Sequence, residues 1–199
     1  MTPHVVSRKE FVSCTVPFQT TPSPNVNHDA LVVLNEAHES VLDLFASFDD
    51  FALASERGPL PRQQKQRLAG KMLRELKLLI QIEDEVFYPA VRGVIGNDAL
   101  MNVLEVEHQW AMQAIVQIST MDPDDEKYVA HIDVLGRSVR RHIEQERAVV
   151  FCWVRESTLN TEDLGRRMVS MKAALLFNDK TIPHFDRYCP HSALAWRGA

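Results

Sequence analysis

Five side chains interrupt apolar stripes that would otherwise run unbroken along predicted helices. They are His38, Glu83, His108, His142 and Glu146. Each falls near the middle of its stripe, so helices of similar length carry all five to one depth in a shared core. A carboxylate buried without a partner costs several kcal/mol or more. Two carboxylates and three imidazoles in one layer therefore need a compensating charge, and a bound cation supplies it directly. His142 and Glu146 are four residues apart, so they project from one helix face and can reach the same ion or ion pair. No cysteine falls in the layer, which argues against a structural thiolate zinc site. Mixed imidazole and carboxylate donors suit iron or manganese best, with zinc also compatible. A single histidine on an apolar stripe is more often a hydrogen-bonded core residue than a ligand, and Glu83 alone would read as an ion-paired core charge. Five such residues in register are harder to explain that way.

The elements that must position them follow from periodicity. A first helix is predicted from an N-cap at Asn27 to about Asp50, with the stripe Leu31, Leu34, His38, Val41, Phe45, Phe48. A second runs from about Arg62 to Val94 through Leu68, Met72, Leu76, Leu79, Glu83, Val86 and Ala90, with Pro89 expected to kink or loosen its last turns. Gly96-Asn97 reads as a helix stop followed by the next cap, opening a third helix over 98–120 with Met101, Leu104, His108, Ala111, Ile115 and Ile118. Asp122-Pro123-Asp124-Asp125 reads as the start of a fourth, over 123–156, with Ile132, Leu135, Val139, His142, Glu146, Val149 and Trp153. A shorter fifth helix is expected over 161–177. The fold class is thus all-α: an antiparallel, up-down four-helix bundle with a short fifth helix. Residues 1–26, which hold Pro17, Pro22 and Pro24, are expected to form a poorly ordered arm. The bundle occupies 27–177, and an irregular tail 178–199.

Composition narrows the function classes. Of 199 residues, 45% are hydrophobic and 25% charged, the balance of a globular domain large enough for a real core. A net charge of −5 leaves no basic footprint for nucleic acid or an anionic membrane surface, and no apolar run is long enough to span a bilayer. Cys14, Cys152 and Cys189 are odd in number and form no CxxC pair, so reduced thiols and a cytoplasmic location are expected. Cys14 lies in the arm and is a weak candidate for reactivity, whereas Cys152 reads as core. His4, His28, His131, His184 and His191 lack partners at ligand spacing and read as surface or structural residues. The acidic run Glu75 to Glu85 and the cluster Arg137, Arg140, Arg141 read mostly as solvated faces.

The segments around the five polar residues resemble the hemerythrin-like HHE cation-binding family. AHESVLDLF carries His38, ELKLLIQIEDEVFYPAV carries Glu83, VEHQWAMQAI carries His108, and RRHIEQERAVVF carries His142 and Glu146. IEDEVFYPAV at 82–91 is similar to that family's second helix, and TEDLGRRM at 161–168 to its trailing helix. The resemblance covers about 28 to 177. It implies a non-heme iron centre in the bundle core, with Glu83 and Glu146 bridging two metals. It further implies His38 and His142 on one metal and His108 on the other. The family's second-helix histidine, four residues before the glutamate, is here Leu79, which reduces the usual four histidines and two glutamates to five ligands. Met112 stands where hemerythrins proper place a further histidine. A mononuclear or weakly occupied dinuclear iron site is the expectation, with manganese and zinc as alternatives.

The functions this implies are handling or sensing of dioxygen, nitric oxide or iron. The competing reading is a metal-depleted helical bundle with a structural or regulatory interaction role, which the apolar Leu79 favours. An enzyme is the least favoured class. No catalytic residue is assigned, because no nucleophile–base pair stands outside the five candidate ligands and there is no phosphate-binding glycine loop.

Overall fold

A computed structural model describes residues 28–53, 58 and 61–177. The expected N-terminal arm and C-terminal tail, with Cys14, Cys189, His4, His184 and His191, lie outside the described residues. All regular elements among the described residues are helical. Helix α1 spans Ala30–Leu53. Helix α2 is continuous over 62–95: α-helical at Arg62–Ile82, π-helical at Glu83–Phe87, and α-helical again at Tyr88–Ile95. Helix α3 is Asp98–Thr120. Helix α4 is continuous over 128–156, with a second π-helical turn at Glu146–Val150 between Tyr128–Gln145 and Phe151–Glu156. Helix α5 is Thr161–Phe177. Helices α1 to α4 pack in a closed ring in which each touches the two next to it, and α5 lies over the α1–α2 edge. This is the expected bundle with its fifth helix. No described helix is long and apolar enough to cross a membrane.

The apolar stripes close on one core. Phe45, Phe48, Met72, Ile80, Phe87, Met101, Leu104, Ile118, Ile132 and Ile143 are fully buried, each large side chain contributing about 1.5–3 kcal/mol by leaving water. Two close approaches depend on glycine. Gly136 of α4 lets the Phe45 ring come within 2.8 Å of where a Cβ would sit. Gly165 of α5 lies against the start of α1, where an added Cβ would fall 1.6 Å from the His28 carbonyl oxygen.

The helix ends differ from the sequence expectations in three places. The cap of α1 is Asp29 rather than Asn27: its Oδ1 accepts from the Leu31 and Val32 amides at 2.9 and 3.3 Å, and its Oδ2 accepts from the Thr161 hydroxyl at 2.5 Å. Helix α4 begins at Tyr128, not at 123. The acids read as its first turn instead face the start of α2, where Arg62 pairs with Asp122 and Asp124 at 2.5 and 2.7 Å and Lys65 reaches Asp124 and the Pro123 carbonyl. Their own loop amides complete the turn, with Asp122 accepting from Asp124 N and Asp125 from Lys127 N. Pro89 falls two residues past the π-helical turn, in the first turn of the α-helical stretch Tyr88–Ile95, where a missing N–H costs least, and the helix continues through it. Gly96 adopts the left-handed conformation at φ 63°, and Asn97 caps α3 by accepting from Leu100 N at 3.1 Å, as expected.

Candidate metal centre

The two glutamates enter the core at equivalent points. Glu83 and Glu146 are each the first residue of a π-helical turn, and each carbonyl accepts from the amide five residues on, Tyr88 and Phe151. A π turn is rare, holds a helix in a wider local register and is frequent at functional sites. Here it also places an aromatic ring five residues after each carboxylate against a histidine. Tyr88 stacks on His108 at 5.0 Å and 7°, and Phe151 stacks on His38 at 5.9 Å and 12°.

The structure brings all five sequence-predicted residues together in one buried layer. It divides them into two groups that share Glu83, namely Glu83–His108–His142 and His38–Glu83–Glu146, each with its donor atoms within 4.8 Å of one another. Glu83 Oε1 faces His38 Nε2 at 2.9 Å, while its Oε2 faces His108 Nε2 at 3.2 Å. Glu146 Oε2 lies 3.2 Å from His38 Nε2 and 3.9 Å from His142 Nε2. His108 Nε2 and His142 Nε2 are 3.0 Å apart. The resemblance had placed His142 with His38. The structure places it with His108 instead, with the two Nε2 atoms 3.0 Å apart. The half short of a histidine is therefore that of His38. Leu79, buried one turn before Glu83, lines a narrow cavity with Glu83, His108 and His142 that has room for about one water-sized molecule.

Four residues take parts here that the sequence reading did not give them. Asp84, assigned to a solvated acidic run, accepts from His108 Nδ1 at 2.6 Å. Glu107 accepts from His142 Nδ1 at 2.8 Å and from Arg141 at 3.2 Å. Arg140, grouped with Arg141 as solvated, pairs with Asp49 at 2.5 Å and lies over the Phe45 ring. Tyr88 donates its hydroxyl to Glu146 Oε1 at 2.8 Å, with His142 Nε2 at 3.2 Å and His108 Nε2 at 3.4 Å. The available signal was adjacency. Asp84 directly follows Glu83, Glu107 directly precedes His108, and Tyr88 has a hydroxyl that burial obliges to find a partner.

The donor set suits a cation. Asp84 and Glu107 face the Nδ1 atoms of His108 and His142, and the two Nε2 atoms face each other across 3.0 Å beside the Glu83 carboxylate, where, once free of protons, they would offer two lone pairs to one ion. The nearest O–H, that of Tyr88, is already given to Glu146, and Glu146 Oε2 is buried with no hydrogen bond. Such a concentration of acceptors is stable only around positive charge, from a metal or from protons. In the metal-free chain, protons fill that role. Burial pulls both His108 and His38 down most strongly among the single influences. Asp84 and Glu83 nevertheless hold His108 up at about 10, and Glu146 and Glu83 hold His38 up at about 9. From the other side of the same pairs, burial raises Glu83, but its bonds to His108 and His38 prevail and keep it well below the usual carboxylate range. Glu107 is likewise lowered, chiefly by its hydrogen bond from His142.

Fold and layer together define a four-helix bundle with a buried carboxylate–imidazole centre. The sequence profile of the hemerythrin HHE cation-binding domain matches residues 29–154, and the chain belongs to that family. The structure is similar to the crystal structure of an HHE cation-binding domain-containing protein from Mycobacterium kansasii, with a TM-score of 0.61. The identity is 20%, over 77% of this chain and 93% of that one, a likeness that speaks for the fold. Among curated proteins none matches the sequence significantly. Family membership and the two donor groups support a bound metal ion.

Proposed function

We propose that the protein holds non-heme iron, as one ion or two, on His38, Glu83, His108, His142 and Glu146, and that it handles or senses dioxygen, nitric oxide or iron itself. Manganese and zinc are compatible with the same donors. The observation that carries the reading is the facing pair His108 Nε2 and His142 Nε2, 3.0 Å apart with both Nδ1 atoms engaged by carboxylates. Bound iron would supply an electron-rich centre to which a diatomic molecule can attach. The chain's own part is to hold the imidazoles, exclude bulk water and leave a narrow apolar cavity beside Glu83. The odd number of cysteines supports a cytoplasmic setting. The metal-binding unit is the bundle with its fifth helix, 27–177.

Elemental analysis of protein purified without added metal tests this. The expected result is about one to two iron ions per chain, with stability that falls on chelation. Metal near zero, with a melt unchanged by chelators, rejects it. That outcome would favour the second reading, a metal-depleted bundle with an interaction role. Its supporting observation is that Leu79 is buried as an ordinary core residue while protonated His38 and His108 can close the layer alone.

A further inference from the structure

The two halves of the layer use one local device, a glutamate opening a π turn that ends on an aromatic ring stacked on a histidine. Their surroundings differ. We propose that Asp84 and Glu107 are positioning residues that make Glu83–His108–His142 the tight half of the centre. The His38–Glu83–Glu146 half is then weak and loads separately. The inference rests on the metal-binding reading and deepens it.

Both imidazoles of the first half are fixed from behind. Asp84 holds His108 Nδ1 at 2.6 Å and Glu107 holds His142 Nδ1 at 2.8 Å, so each Nε2 is aimed inward before any ion arrives. A carboxylate behind a ligating histidine fixes its tautomer and orientation and raises its basicity. His38 has no such support, since its Nδ1 is buried without a hydrogen bond. The residue after Glu83 is Asp84, whereas the residue after Glu146 is Arg147, which pairs with Glu39 at 2.8 Å. Equivalent positions therefore carry opposite charge, and Asp84 reaches a histidine of the layer whereas Arg147 pairs with Glu39. The stacking rings differ as well: the Tyr88 hydroxyl donates to Glu146 and lies 3.2 and 3.4 Å from His142 and His108 Nε2, whereas Phe151 has no hydroxyl. The first half has two preoriented imidazoles and two supporting carboxylates, and the second has one unsupported imidazole.

Anaerobic titration of the metal-free full chain with Co(II), followed by calorimetry and by the metal's own visible absorption, tests the assignment. The wild type is expected to bind in two separated steps, or in one step at the first half. Asp84→Asn and Glu107→Gln should each weaken the first step by roughly 10–100-fold without altering the second. Glu107→Asp should restore part of the loss, and His38→Ala should remove only the second step. Circular dichroism melts control for folding. If Asp84→Asn does not fold, the partly exposed Glu107 carries the test. Equal steps, a tight step lost with His38→Ala, or both steps weakened alike by Glu107→Gln would overturn the inference while leaving metal binding intact. No Co(II) binding at all would overturn both.

Discussion

Tyr88 lies flat on His108, with ring centroids 5.0 Å apart, and gives its hydroxyl proton to Glu146 at 2.8 Å. One residue of α2 thus bridges a histidine of α3 and a glutamate of α4. Burial, together with the Glu146 charge, raises the phenol well above its ordinary 10.0, so it stays a donor. Tyr88→Phe keeps the stack and removes the proton. The metal-free variant is expected to lose about 1–3 kcal/mol in urea denaturation, the cost of leaving a buried carboxylate oxygen unsatisfied. An unchanged midpoint would show that Glu146 draws nothing from Tyr88.

Metal-free stability should depend on pH in a fixed sense. His38 and His108 rise from 6.5 to about 9 and about 10 on folding, so their contribution is complete below pH 6.5 and disappears as pH climbs through those values. Glu83 is lowered, so its contribution is complete above its ordinary 4.5 and disappears in acid. The metal-free chain is therefore expected to be most stable between about pH 4.5 and 6.5 and to weaken toward alkali. Metal affinity should move the opposite way, because an ion must displace those protons. Urea midpoints across this range check the first trend, and metal titrations the second. Stability rising toward alkali would contradict the imidazolium–glutamate pairs.

Leu79→His adds an imidazole one turn before Glu83, in the wall of the cavity shared with His108 and His142. Bound iron should rise toward two per chain. The metal-free variant should be less stable by about 1–3 kcal/mol, since a polar ring replaces a buried leucine. Stoichiometry is the readout, and no gain would mean that position 79 does not address the centre.

Gly165→Ala tests the packing of α5. A Cβ there meets the His28 carbonyl oxygen at 1.6 Å, so α5 must shift off the start of α1. The expected loss is about 1–3 kcal/mol, read as a fall in Tm of roughly 2–4 °C per kcal/mol for a chain of this size. Gly70, with nothing within 4 Å of an added Cβ, is the control and should tolerate alanine.

The helices were legible because their stripes obey a single period, and α3 and α5 fall on the expected residues. The depth of the five polar residues was legible for the same reason. Their grouping was not. Periodicity tells which face of a helix is buried, but whether His142 looks toward His38 or His108 depends on rotation about the helix axis. The start of α4 was misread because Asp122 and its neighbours satisfy every local rule for a helix start, while Arg62 and Lys65, some sixty residues earlier, recruit the same carboxylates. Asp84 and Glu107 were hidden by their own charge, since acids beside core positions ordinarily face water.

The wide turns at Glu83–Phe87 and Glu146–Val150 have a consequence for how such a centre can arise. Each amounts to one residue more than an α-helix requires. Deleting that residue would tighten the helix and swing everything beyond it by about 100°, carrying Tyr88 off His108 and Phe151 off His38. The shortened chain would make better helices around a layer no longer arranged to hold a cation. In these two helices regular α-helical geometry gives way just where the carboxylates and the stacked rings meet.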